Sequence, residues 1–368
     1  MAELVIYRKY RPQNFSEVVG QEHIIKTLTS ALSSGKVAHA YLFAGPRGTG
    51  KTTVARLLAK AVNCLNNSSI EPCNKCDSCL EIMESRALDL IEIDAASNRG
   101  IDEIRELRDR IRFTPTRDKY KVFVIDEAHQ LTKEAFNALL KTLEEPPAHA
   151  IFILATTEPY KMLPTILSRV QRFDFKKISL PDILKRLEMI VKKEGIKIDK
   201  KALRIIALNA EGYQRDAESM LGQVIAFAGP QTNGKQITVE DVEIILGVVD
   251  INLAIKFIDL LANKKSKESL VFIDKFVSQG YDLVQFVQSL INYSRKLLLI
   301  RISKDLSKLI KQELSPEQLN TAKRQAEKFS IEELSRMMEI FITTLYQMKR
   351  SSFPQILVEL AVIEVCEK

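Results

Sequence analysis

The sequence predicts a parallel α/β domain followed by two all-helical domains, and three observations lead to this fold class. Four short apolar runs in the first half alternate with helical patterns, which is typical of buried parallel strands covered by helices. A glycine-rich stretch, residues 45–52, stands between the first of these runs and a helical pattern. After residue 180 only helical periodicity remains. The four predicted strands are Ala40–Ala44, Leu88–Asp94, Lys121–Asp126 and Ile151–Thr157.

The composition is that of an ordinary globular chain. Of 368 residues, 46% are hydrophobic and 27% are charged, which excludes wholesale disorder. No apolar run approaches the ~18–20 residues of a membrane span, and the N-terminus lacks the order of a signal peptide. We therefore expect a cytosolic protein without membrane contact. The net charge of +7 is spread over both halves, so it permits contact with nucleic acid without demonstrating it.

Helical periodicity and capping residues divide the chain into domains. Lys51–Val62 carries an apolar stripe at i, i+3, i+4 and i+7, and a second such stripe starts after Thr132, the predicted N-cap. Residues 229–234 predict a turn, and Thr238 predicts another cap. The expected domains are 1–179 (α/β), 180–246 (a small helical domain) and 247–368 (a second helical domain). Helices predicted in the last domain are Leu253–Leu261, Leu270–Val277, Leu283–Ile302, Ile331–Met348 and Ile356–Val365.

Residues 45–52 match the phosphate-binding motif G-x-x-x-x-G-K-[ST] between a strand and a helix, the context that this motif requires. Glycines let the backbone curl so that N–H groups point inward, and the helix N-terminus favours anions. Lys51 is predicted to reach the β- and γ-phosphates, and the Thr52 hydroxyl to ligate Mg²⁺. The alternative is a glycine-rich turn that arose by chance. The predicted nucleotide contacts are Gly45, Pro46, Arg47, Gly48, Thr49, Gly50, Lys51, Thr52 and Thr53.

A pair of acids, Asp126 and Glu127, ends the third apolar run. Asp126 is predicted to lie beside Mg²⁺, the Walker B role. Glu127 points elsewhere and is predicted to polarise the attacking water as a general base. Alternatively, one acid merely caps the helix that follows. Together with the phosphate-binding motif, the pair predicts hydrolysis of ATP with magnesium.

Four of the five cysteines, Cys64, Cys73, Cys76 and Cys79, form a C-x8-C-x2-C-x2-C cluster. In a cytosolic chain such spacing indicates a metal site before it indicates disulfides. Four thiolates suit a closed, structural Zn²⁺ site that staples the loop 64–79. An iron–sulfur cluster and free thiols are the alternatives. Cys366, near the last apolar stretch, is expected to be a small buried hydrophobe.

The class of ATPase is predicted from the remainder of the chain, which is helical after the domain that carries the two motifs. Residues 126–129, Asp-Glu-Ala-His, also invite a helicase interpretation. Such helicases need a second α/β domain, whereas the helical second half favours an oligomeric AAA+ ATPase with a helical lid. That class predicts a sensor at Thr156 or Thr157, an arginine supplied to the neighbouring subunit at Arg169, and a second sensor in the lid at Arg215. Taken singly, each arginine also fits a solvated surface charge.

Several stretches resemble clamp-loader ATPases, and the four-cysteine insert is similar to that of bacterial DNA polymerase III gamma and tau subunits. Replication factor C subunits share the motor domain but typically lack this insert. The resemblance covers residues 4 to about 245 strongly, and the last domain by architecture. The stretches that carry it are 11–23, 94–97, 136–147 and 154–159.

The resemblance implies a clamp-loader motor with a zinc-bearing insert, a lid and a collar that holds five subunits in a ring. The implied partners are copies of itself, delta and delta-prime subunits, the sliding clamp, and primer–template DNA held without sequence readout. It implies a part of the DNA-directed DNA polymerase holoenzyme, a nucleotidyltransferase complex, without a polymerase site of its own. The implied location is the bacterial cytosol, at replication forks on the nucleoid.

The resemblance also implies roles for single residues. Arg11 and Val19 border the adenine, Arg169 acts on the adjacent subunit's ATP, and Arg215 ties lid position to nucleotide state. The four cysteines bind structural zinc. Two alternatives remain at this point: a helicase-like or Holliday-junction-type AAA+ motor, and an ATP-binding scaffold that does not hydrolyse.

Overall fold

The computed structural model describes residues 5–66, 69–97, 107, 110–228, 236–247, 251–303 and 314–367. Its described residues up to Ala226 form one compact unit, and those from Ile237 onward form a second. No helix in these described ranges combines the length and apolar character needed to cross a membrane.

The first unit is built on a five-stranded sheet of order β2-β3-β4-β1-β5, in which every neighbouring pair is parallel. The register aligns Ala44 with Thr156 and Asp94 with Asp126, so the carboxyl ends of the strands share one edge. The predicted α/β class is confirmed. The strands are β1 (Ala40–Ala44), β2 (Leu90–Asp94), β3 (Lys121–Asp126), β4 (Ala150–Thr156) and β5 (Gln171–Asp174).

Strand β5 is absent from the sequence-based prediction. It pairs only with β1, and its residues are exposed except Phe173. A four-residue edge strand with one buried side chain carries too little apolar pattern to stand out. The other strands agree within two residues of the prediction at each end.

Helices cover both faces of this sheet because successive strand residues point to opposite sides. Tyr41 and Phe43 pack into the core on one face, and Leu42 packs into the core on the other. As predicted, Thr132 caps a helix, its hydroxyl accepting from the Ala135 N–H. The helices are α1 (Ile6–Lys9), α2 (Glu22–Ser33), α3 (Lys51–Asn63), α4 (Asp77–Met83), α5 (Lys133–Glu144) and α6 (Pro164–Leu167).

Three further helices of the described residues lie in the first unit, except for the last two residues of the third: α7 (Leu180–Glu194), α8 (Lys200–Asn209) and α9 (Gln214–Ala228). Side chains of Ser179 and Asp199 cap the first two, and Gly195 ends α7 in the left-handed conformation. The helical prediction from residue 180 is confirmed. The turn predicted at 229–234 lies outside the described residues.

In its described residues the second unit has helices and no strand longer than a single bridge residue, as predicted, with a core that includes Phe257, Phe286 and Phe341. Thr238 forms a capping box with Asp241, and Cys366 is 5% exposed, in line with its expected burial. Helix α14 was not predicted, because most of its side chains are polar and its buried residues are two alanines and Gln325. The helices are α10 (Val239–Leu246), α11 (Ile251–Ala262), α12 (Ser266–Ser278), α13 (Leu283–Ile302), α14 (Pro316–Ala326), α15 (Ile331–Met348) and α16 (Pro354–Glu367).

Helix α10 belongs to the second unit, although the sequence assigns residues 239–246 to the end of the lid. The division into three domains remains a prediction.

Candidate functional site

A cavity of about 770 Å³ lies in the first unit, where the carboxyl ends of β3 and β4 meet the start of α3. The predicted site residues among its lining are Arg11, Val19, Arg47, Gly48, Thr49, Gly50, Lys51, Thr52, Thr53, Asp126, Glu127, Thr157 and Arg215.

The loop before α3 needs its glycines. Gly45 has a φ of 144°, and a Cβ there would collide with the carbonyl oxygen of Phe175. Gly50 has a φ of 101° and is the N-cap of α3. Both conformations favour glycine, so the loop can curl around the start of the helix as the motif requires.

Lys51 is 6% exposed and is held inside the loop. Its ammonium donates to the carbonyl oxygens of Gly45 at 2.7 Å and Pro46 at 2.8 Å. Burial lowers the pKa of Lys51, and the nearby carboxylates of Glu127 and Asp126 oppose that shift. Gly45 and Pro46 do not line the cavity themselves. Their carbonyl oxygens hold the Lys51 ammonium in place.

The two acids take separate positions beside the loop. Asp126 Oδ2 accepts from the Thr52 hydroxyl at 2.9 Å. Glu127 stands in the left-handed region at φ 47°, and its Oε2 accepts from the Thr157 hydroxyl at 2.9 Å and N–H at 3.2 Å. The hydroxyl and carboxylate of Thr52 and Asp126 are oxygen donors of the kind that Mg²⁺ takes beside phosphates, so the pair fits that ion.

His129 is a site residue that the sequence-based reasoning missed. Its Nδ1 lies 3.0 Å from the Thr156 hydroxyl oxygen and 3.5 Å from Glu127 Oε2, and its Nε2 lies 3.1 Å from Glu158 Oε2. Thr156 is fully buried and bonded within this group, whereas Thr157 lines the cavity. Of the two sensor candidates, Thr157 is thus the one that touches Glu127.

Arg215, at the start of α9, reaches the same cavity from the helical part of the first unit. Its N–H lies 3.5 Å from the Gly48 oxygen, and its guanidinium lies 4.8 Å from the centre of the Tyr7 ring. Hydrogen bonds from Arg215 and Arg8 lower the pKa of Tyr7. Tyr7 was also missed, because a tyrosine in a four-residue helix belongs to no motif.

Arg169 lies outside this cavity. Its guanidinium donates to the Thr165 oxygen at 2.7 Å and to Glu144 Oε1 at 2.6 Å, and its side chain is 32% exposed. Within its own chain it does not contact the nucleotide cavity. Its side chain is thus partly exposed at the surface, where Glu144 and Thr165 hold the guanidinium.

The four clustered cysteines meet in space, and their sulfur atoms all lie within 4.8 Å of one another. They are free thiols, with Cys73 and Cys79 Sγ atoms 4.0 Å apart. Tetrahedral zinc with ~2.3 Å bonds would set sulfurs about 3.8 Å apart. Backbone N–H groups of Lys75 and Cys76 lower the pKa of Cys73 to about 6, while burial raises that of Cys79. The donor set fits a structural Zn²⁺ ion.

Family models match three successive stretches of the chain. The model described as "DNA polymerase III, delta subunit" matches residues 20–179. The "DNA polymerase III clamp loader subunit, ATPase lid domain" matches 182–230. The "DNA polymerase III subunits gamma and tau domain III" matches 237–368.

Curated relatives agree with these matches. DNA polymerase III subunit tau of Bacillus subtilis is 44% identical over 367 residues, covering 100% of this chain and 64% of that protein. Subunit tau of Escherichia coli is 40% identical over 82% of this chain and 46% of its own length. Subunit gamma of Buchnera aphidicola is 39% identical over 78% of this chain and 79% of its own length. The chain thus spans about half to two thirds of the tau subunits it matches.

Among solved structures, the Thermotoga maritima RuvB Holliday junction branch migration motor is similar, with a TM-score of 0.50 and 19% identity. The match covers 68% of this chain and 78% of that one. At this identity the similarity concerns the fold alone.

Proposed function

The chain belongs to the gamma/tau family of DNA polymerase III subunits, and from that premise we propose that it is an ATP-hydrolysing clamp-loader motor. One observation carries the enzymatic part. Lys51, Asp126, Glu127 and Thr157 surround one cavity, and Arg215 of the lid reaches into it. An ATP-driven motor needs this combination, because the position of the lid can change with hydrolysis only if lid residues contact the site where the nucleotide is hydrolysed.

Binding of the triphosphate is assigned to the loop before α3. Backbone N–H groups of this loop and the positive end of the α3 dipole stabilise the negative charge of a bound phosphate. Lys51 exchanges its two carbonyl partners for phosphate oxygens. Thr52 and Asp126 would hold Mg²⁺, which when bound neutralises charge on the phosphates.

Hydrolysis is assigned to Glu127 as the general base that takes a proton from the attacking water. Its Oε2 accepts two hydrogen bonds from Thr157, which orient the carboxylate. Arg169 is assigned to the neighbouring subunit's site, where such an arginine contributes ~10³–10⁵ in rate. Its partial exposure and its position outside its own cavity support that role, in which it would exchange Glu144 for the neighbour's phosphate.

Clamp loading requires that ATP bind more tightly to the ring conformation that grips the clamp than to the relaxed conformation. A ligand with equal affinity for both would not shift the equilibrium between them. The proposed partners are copies of the chain, delta and delta-prime subunits, a sliding clamp and primer–template DNA in the bacterial cytosol. DNA held through its backbone predicts affinity that falls with salt. The four cysteines would hold Zn²⁺ as a structural staple.

The test is ATP turnover of the reconstituted complex, with and without sliding clamp and primed DNA. We expect turnover to rise when both are present and a labelled clamp to become bound to the DNA. Strand displacement without a clamp would favour another AAA+ DNA motor. Background turnover under every condition would favour a non-hydrolysing scaffold.

A further inference from the structure

The cysteine cluster and the nucleotide cavity share a neighbour, the opening segment, which we define as residues 11–19. Arg11, Pro12, Val18 and Val19 of this segment line the cavity. Between them, residues 14–16 are outside the lining of the cavity and contact the knuckle, which we define as residues 69–76 between Cys64 and α4. The same short segment thus touches both features.

Glu71 of the knuckle holds the middle of the opening segment. Its two carboxylate oxygens accept from the N–H of Phe15 at 2.7 Å and of Ser16 at 2.9 Å. These N–H groups begin the short 3₁₀ helix Phe15–Glu17 and have no partner inside it. Hydrogen bonds to an ionised carboxylate are roughly twice as strong as neutral ones, so Glu71 caps this helix from 55 residues away.

Asn74 makes a second link, because its side-chain amide donates to Asn14 Oδ1 at 2.7 Å. It stands at φ 57°, within the turn in which the N–H groups of Lys75 and Cys76 point at Cys73 Sγ. The turn that organises the cysteines therefore also aims Asn74 at the opening segment.

Lys60 holds the segment from a third position, on α3. It is buried on α3, the helix that follows the phosphate-binding loop, and its ammonium donates to Gln13 O at 3.1 Å and Oε1 at 2.9 Å. Loss of one knuckle contact therefore leaves the other knuckle contact and Lys60 in place, and Phe15 is buried beside them. Variants in the knuckle are expected to fold.

We propose that Glu71 and Asn74 are positioning residues for nucleotide binding, through which the cysteine module sets the wall of the cavity formed by residues 11–19. The inference rests on the proposed ATP binding. The wall lies apart from the loop that cradles phosphate, so its displacement weakens contacts to the nucleoside more than contacts to the phosphates. A segment in place for only about one tenth of the time would weaken apparent affinity about tenfold.

The experiment measures dissociation constants of the full chain for ATP and for tripolyphosphate by calorimetric titration. Glu71→Ala removes both acceptors, Glu71→Gln keeps one, and Asn74→Gly removes the side chain while tolerating the left-handed backbone. Lys75→Ala, in the same turn, is the matched control. Metal content of every variant is measured in parallel.

We expect Glu71→Ala to weaken the affinity for ATP about tenfold and Asn74→Gly to weaken it several-fold. Glu71→Gln should lose less affinity than Glu71→Ala. Tripolyphosphate affinity, metal content and the Lys75→Ala control should stay within twofold of wild type. Unchanged ATP affinity in both Glu71→Ala and Asn74→Gly overturns the inference, and so does an equal loss for the two ligands. Loss of metal in these variants also counts against it, since the knuckle would then have collapsed.

These outcomes are separable from the proposed function. A wild-type chain that binds ATP but loads no clamp refutes the proposed function and leaves the inference standing. A wild-type chain that binds no ATP refutes both.

Discussion

The buried ion pair between Arg186 on α7 and Glu218 on α9 offers a sharp test of how the helices of the first unit are held. Its side chains are 6% and 4% exposed, and Arg186 Nε lies 2.9 Å from Glu218 Oε1. Arg186 also donates to the Tyr10 carbonyl oxygen. Arg186→Met roughly keeps the volume but leaves the buried carboxylate without its ion-pair partner, with one remaining hydrogen bond from the Gln214 amide, which costs about 3–5 kcal/mol.

For a unit of this size, 1 kcal/mol corresponds to roughly 2–4 °C in melting temperature, so Arg186→Met should melt roughly 6–20 °C below wild type in calorimetry. Replacing Glu218 by Leu in the same chain removes the stranded charge and should recover most of the loss. Arg172→Met is the matched control, because its pair with Asp174 is exposed and is expected to contribute under about 1 kcal/mol.

The same variant should be sensitive to pH. Burial raises the pKa of Glu218 above its ordinary 4.5, and Arg186 opposes that shift. Without Arg186 the folded state binds a proton that the unfolded state has released, so stability falls as pH rises from about 4.5. The deficit of Arg186→Met should therefore be larger at pH 8 than at pH 5.

Two results would refute this reasoning. A single variant that melts within 2 °C of wild type, a limit set by roughly 1 kcal/mol, would show that the pair is not effectively buried. A double variant that melts no higher than Arg186→Met would show that the cost does not come from the unpaired carboxylate.

Three further predictions concern the sites. Glu127→Gln should lower kcat about 10²–10⁴-fold with ATP affinity little changed, because the amide oxygen can still accept from Thr157; an equal loss of binding in titrations would contradict the role as base. Assemblies that mix Arg169→Ala with Lys51→Ala subunits should turn over more ATP than a blend of the separate parents, because mixed interfaces combine an intact loop with an intact arginine. No gain after verified mixing would count against action in trans. Cys79→Ser should lose bound zinc, measured by elemental analysis, and melt at a lower temperature, whereas iron and visible colour in wild type would reject zinc.

Much of the fold follows from the sequence where apolar pattern is strong. Buried parallel strands such as Lys121–Asp126 need an uninterrupted apolar run, and such runs are visible without a structure. Strand β5 and helix α14 show the limit, since a mostly exposed edge strand and a mostly polar helix hold too few large apolar residues to be recognised from the sequence.

The same division holds at the site. Lys51, Thr52 and Asp126 could be predicted because the chemistry fixes their spacing relative to a strand or a helix. His129 could have been noticed, since it stands two residues after Glu127, but its contacts depend on Thr156 and Glu158, which only the parallel pairing of β3 and β4 brings near. Glu71 carried no sign of its role, because its partners lie 55 residues away.

The left-handed backbone at Glu127 has a consequence for how this chain can change. A residue with a side chain costs of order 1 kcal/mol more than glycine in that conformation. Glycine at position 127 would relieve that strain, and it would also remove the carboxylate that accepts two hydrogen bonds from Thr157. A screen for more stable variants therefore has to score turnover alongside melting temperature, because backbone strain and the proposed general base coincide at this position.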